Sequence, residues 1–147
     1  MATFSEIKSY ISGIISDNSF GDFYSMNVKE YGNLTQKTEA DTILFLLDAP
    51  GTTSDNEFTA GNRVLRSYSL TFFILKAASD ELTENQLDDI YSDMENIATQ
   101  FFWHINVGNT TIFNIDSMTT ERVKFITPNS FAGVTFTLRQ VRTACNL

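Results

Sequence analysis

Side chains able to do covalent or acid–base chemistry are few in this sequence, and their spacing does not favour it. The 147 residues include one histidine, His104, and one cysteine, Cys145. A single cysteine excludes an internal disulfide and any zinc site with two or more thiolates. A single histidine excludes multi-histidine metal centres within one chain. Ser-His and Cys-His catalytic pairs would have to use His104 itself. That residue follows Phe102 and Trp103 near the expected end of a helix, where it reads as a cap for the last carbonyls. Cys145 has no second thiol or histidine close in sequence to activate it. Gly51, Gly61 and Gly133 stand alone as turn glycines, so no phosphate-cradling loop is present.

The remaining candidates are carboxylates. Glu84, Asp88, Asp89, Asp93 and Glu95 crowd one segment, and a convergent pair such as Asp89 and Asp93 is what a metal-dependent hydrolytic site would need. Their positions complement an apolar helical stripe, however, so the expectation is a face turned to solvent. Neither they nor the acids of Asp48–Glu57 have the spacing of a calcium loop. The sequence reads as non-enzymatic, without metal or other cofactor.

Charge is segregated along the chain. The formal net charge is −8, yet every charged residue from 77 to 121 is acidic and every one from 122 to 147 is basic. Between 59 and 76 the charged residues are Arg63, Arg66 and Lys76. Separate acidic and basic faces favour head-to-tail contact between copies. The acidic total opposes autonomous nucleic-acid binding, which depends on neutralising phosphates with Lys and Arg. The opening MATFSEIKSYISG has neither a basic n-region nor an apolar h-region, so no signal peptide is expected there. The longest apolar run, Ile43 to Leu47, is far short of the roughly 20 residues a membrane helix needs. No membrane association is expected, and a reducing compartment fits the cysteine usage.

The elements that must carry these residues follow from periodicity. Thr3-Phe4-Ser5-Glu6 is a capping box, and Phe4, Ile7, Ile11, Ile14 and Ile15 fall on one stripe, predicting a helix over 3–17. Tyr24, Met26 and Val28 alternate with polar neighbours within Phe23–Lys29, a half-buried strand. Thr42–Leu47 is apolar on both faces and reads as a central strand. Asp48-Ala49-Pro50-Gly51 is a turn signal, and a polar loop is expected from there to about Asn62. Arg63–Lys76 reads as a long strand, with Phe73 and Leu75 hinting at cover on its second face. Thr83-Glu84-Asn85-Gln86 is another capping box. Behind it, apolar residues from Leu87 to Ile105 recur at spacings of three and four, giving a helix over 83–105. Strands are expected at Thr111–Asp116, Arg122–Thr127 and Phe131–Val141, with the turn Pro128-Asn129-Ser130 between the last two. The order α-β-β-β-α-β-β-β makes one α+β domain over 1–147, an antiparallel sheet with an N-terminal helix and one long helix packed on it.

Thirteen phenylalanines are more than one small two-layer core usually takes, so some are expected at subunit contacts. Phe58 and Phe73 are the candidates. With Pro50, Arg63 and Arg66, which flank the polar loop, they form the expected interface.

Taken together, the capped first helix, the strands joined by a long polar loop, the long helix and the closing strands resemble bacteriophage tail terminator and related tail-completion proteins. The ending Asn129-Ser130-Phe131-Ala132-Gly133-Val134-Thr135-Phe136-Thr137-Leu138, followed by Thr143-Ala144-Cys145-Asn146-Leu147, is similar to short structural proteins of phages infecting Bacteroidetes. The resemblance covers residues 3–141 in element order and transfers no catalytic residue. It implies a cofactor-free virion protein, assembled in the bacterial host cytoplasm into a ring, often of six copies. That ring caps the tail tube and joins it to the neck and connector proteins at the head–tail junction. DNA would pass without specific binding, and the acidic helix would face either the channel or solvent. Two other readings stay open. One is a different ring of the same particle, formed by a tail-tube, neck or head-completion subunit. The other is a non-viral adaptor that binds peptides by strand addition along residues 131–141.

Overall fold

The computed structural model describes residues 3–26, 41–78, 81–108, 117–125, 131–140 and 143–144. The first capping box forms as expected. The Glu6 N–H donates to Thr3 Oγ1 at 3.2 Å and the Thr3 N–H donates to Glu6 Oε2 at 3.1 Å, starting α1 (Phe4–Asp17). Ile7, Ile11 and Ile15 are its buried stripe. Asn18 stops it by donating both its N–H and its side-chain amide to the Ile14 carbonyl. Ser19, at φ 54°, then turns the chain. Gly21 follows at φ 143°, where a Cβ would lie 2.6 Å from the Ile43 carbonyl oxygen. Only glycine admits that approach, which leads into β1 (Asp22–Met26) beside β2 (Ile43–Asp48).

β1 and β2 run parallel, with Asp22 opposite Leu44 and Met26 opposite Asp48. This corrects the expectation of a wholly antiparallel sheet. Parallel neighbours need a crossover of a dozen residues or more, and the connection 27–42 is long enough to make it. All other pairings among the described residues are antiparallel.

The polar loop is also corrected: it contains a strand, β3 (Thr53–Phe58). It pairs with the first half of the 14-residue β4 (Val64–Ala77), while β2 pairs with the second half on the same side. β3 has every residue exposed, so it carries no alternation for periodicity to detect.

The second capping box, with the Gln86 N–H donating to Thr83 Oγ1 at 3.2 Å and the Thr83 N–H to Gln86 Oε1 at 2.9 Å, starts α2 (Glu84–Gly108). The remaining strands are β5 (Thr120–Phe125), β6 (Phe131–Arg139) and the two-residue β7 (Thr143–Ala144). The sheet order is β1-β2-β4-β6-β5, with β3 and β7 on opposite sides of the first half of β4. The fold is α+β. β6 lies between β4 and β5, so it is an interior strand and not the free edge expected of residues 131–141. Gly133 is likewise not a turn residue but sits inside β6, where a Cβ would collide with the Ile74 carbonyl. The expected strand Thr111–Asp116 and Cys145 lie outside the described residues.

Both helices cover one face of the sheet. Phe45, Phe72, Phe101 and Phe136 form the centre of that core with Ile7, Ile11, Leu70 and Val134. Their rings meet at centroid distances of 4.7 to 6.4 Å, mostly edge to face, the preferred aromatic geometry. A second apolar cluster on the opposite face joins Leu44, Leu46, Leu75 and Phe131, with Phe73 and Phe125 against it. Among the described residues, every phenylalanine but Phe58 belongs to one of these two clusters. Among the described residues, the exposed large apolar side chains are Phe58, Trp103 and Val107.

Candidate functional site

β3, the turn 59–63 and the first half of β4 form an arm. Thr59 and Arg63 close its tip, the Thr59 N–H donating to the Arg63 carbonyl at 2.9 Å. Asn62 holds the left-handed conformation there at φ 55°. At its base, the Asp48 side chain accepts from the Gly51 N–H at 3.2 Å and the Ala49 carbonyl from the Thr52 N–H. Pro50 is exposed in that turn. The arm is braced on one face by Arg139, 2.6 Å from Asp55. On the other, Arg66 Nε donates to Asn56 Oδ1 at 3.0 Å.

Of the five expected interface residues, four lie on this arm or at its base. Phe58 is 72% exposed, and Arg63 and Pro50 are exposed. Arg66 is half-buried. Phe73 does not join them. It is half-buried in the second cluster, its ring 5.9 Å from that of Phe125. The expectation of an exposed ring fails because β4 uses both its faces beyond the arm.

On α2, Glu84, Asp88, Asp89 and Asp93 are exposed and Glu95 is half-buried. The face is not purely solvated. Arg122 in β5 reaches across, its Nε 2.7 Å from Glu95 and its Nη1 3.4 Å from Asp88. Its guanidinium also stands 5.2 Å from the centre of the Tyr91 ring. The hydrogen bond to Glu95 raises the Arg122 pKa, opposed by partial desolvation and supported by the charges of Glu95 and Asp88. Reading by local spacing missed this arrangement, because Arg122 is 27 residues from Glu95 and 34 from Asp88. The available signal was its position as the first base after the long acidic run.

His104 does not cap the helix, which continues to Gly108. Its half-buried ring packs 5.8 Å from Phe20 and 4.8 Å from Trp103, a packing role. Among the described residues, no three histidine, cysteine or acidic side chains converge as a metal would require. No helix among them is long and apolar enough to cross a membrane. An open depression between α1 and β1 is lined by Lys8, Ser9, Ser12, Ser16, Asp17 and Phe23. No protein-family model and no curated protein sequence matches this chain.

Proposed function

We propose that this chain is a virion structural subunit that assembles into a ring at a phage head–tail junction, capping the tail tube and joining it to the neck. The observation that carries the reading is the arm: an ordered hairpin with β3 exposed throughout and an aromatic ring at its tip. A monomer gains nothing from holding Phe58 in water, whereas apolar side chains ringed by polar groups are what subunit contacts use. The separation of acidic and basic segments supports repeated contact between identical copies, and the small α+β fold agrees with the resemblance. In this role the chain needs no cofactor, and its excess negative charge keeps it from gripping passing DNA.

Light scattering on the purified chain, alone and mixed with isolated tail tubes, tests the proposal. A discrete multiple of the chain mass, or incorporation at the end of the tubes, is the expected result. A monodisperse monomer that joins no tube overturns it. Labelling the chain within assembled particles separates a terminator ring from a tube, neck or head-completion ring.

A further inference from the structure

Two surfaces carry exposed apolar side chains beside charges that have no ion-pair partner among the described residues. The first is the face of the arm that continues the helix-covered side of β4. The pairings Phe58 with Val64, Asn56 with Arg66 and Ser54 with Tyr68 put Phe58, Val64 and Arg66 on that face. Phe4 of α1 meets Tyr68 at a ring distance of 5.8 Å, and the other three lie further out along the arm. Arg63, next to Val64 and paired with Thr59, falls on the opposite face. Among the described residues Arg66 has no acidic partner.

The second surface is the outer stripe of α2. Asp89, Asp93, Asn96, Gln100, Trp103 and Val107 alternate at spacings of four and three, and all are exposed. Such residues lie on one helical face. Its first end is acidic, and its last end is apolar, Trp103 and Val107 being 57% and 60% exposed. Arg122 takes Asp88 and Glu95. Asp89 and Asp93 have no basic partner among the described residues.

The two surfaces complement each other in charge, apolar character and scale. Asp93 and Trp103 are separated by about 15 Å along the helix. Phe58 lies across from Val64, about 7 Å of strand from Arg66, and an arginine side chain extends that span. They also sit toward opposite edges of the sheet. β3 is on the β2 side of β4, whereas Arg122 ties the acidic half of α2 to β5, the strand at the other end. A copy therefore cannot bring its own arm to its own stripe, but can offer each to a different neighbour. Such a heterologous contact closes into a ring when its rotation permits.

We infer that the arm of one copy lies on the outer stripe of α2 in a second copy, Arg66 meeting its Asp89–Asp93 end and Phe58 meeting Trp103. This rests on the ring reading and names the surfaces that build it. The acidic face of α2 is then a subunit contact and not a channel wall.

The test uses two full-length variants, R66E and D89K/D93K, each checked for an unchanged circular-dichroism melt. Assembly is measured by light scattering, alone and on tail tubes. Wild type assembles, and each variant alone loses assembled mass at least tenfold. An equimolar mixture regains it, because every contact in an alternating ring again pairs opposite charges. A folding fault would not be rescued by mixing. If wild type assembles and the variants assemble equally well, or the mixture stays apart, this contact is overturned while the ring stands. A wild type that remains monomeric with and without tubes overturns both.

Discussion

The ring of Phe45 meets that of Phe101 at a centroid distance of 4.7 Å and an interplanar angle of 64°, fastening β2 to the last third of the long helix. Both side chains are fully buried. Phe101→Ala should therefore lower stability by about 3–5 kcal/mol, through lost apolar burial and the cavity left among three other rings. Asp89→Ala, on the exposed side of the same helix, should change it by less than roughly 0.5 kcal/mol. Urea unfolding of the two variants measures the contrast, and equal effects would show the helix faces to be wrongly assigned.

The glycines give a second contrast. Gly13 lies mid-helix in α1 with nothing within 4 Å of an added Cβ, so Gly13→Ala should stabilise by about 0.5–1 kcal/mol. At Gly133 the Cβ would strike the Ile74 carbonyl of the neighbouring strand. Gly133→Ala should destabilise by about 1–3 kcal/mol as β6 is forced away from β4. Thermal melts of the pair should move in opposite directions.

Arg122 links α2 to β5 through side chains that remain about half exposed. Exposed ion pairs are screened by salt. Arg122→Gln should lower the melting temperature slightly in dilute buffer, with the difference shrinking in molar salt. Because the arginine pKa is raised, the pair's contribution holds while the guanidinium stays protonated. From the arginine side it is lost only as pH climbs through that raised value in strong alkali. A difference insensitive to salt would point instead to the contact with Tyr91.

No residue of β3 belongs to either apolar cluster. Deleting Thr53–Asn56 should leave a cooperative melt but remove the oligomer. Paired calorimetry and light scattering read the two effects separately, and an unfolded product would show that the arm is needed for the fold itself.

Both helices were legible because Thr3–Glu6 and Thr83–Gln86 are complete capping boxes ahead of clear apolar stripes. Thr42–Leu47 was legible as central because it lacks a polar face. β3 was not: burial creates alternation, and a strand exposed on both faces has none. Nor does periodicity encode direction, so the parallel pairing of β1 with β2 was hidden. Phe73 was misplaced for a related reason, since the second cluster gathers Phe125 and Phe131 from strands more than 50 positions away. In the candidate site, the exposure of Phe58 was anticipated, but the attachment of Arg122 to Asp88 and Glu95 depends on register between distant elements.

β4 runs unbroken from the arm into the double-sided core. Its second half is flanked by β2 and β6, whose hydrogen bonds lie perpendicular to the strand. A pull on Phe58 along the arm would therefore load those bonds together, in shear, instead of peeling them one at a time. No hinge lies between tip and core to absorb the force, so the strand acts as a tension member.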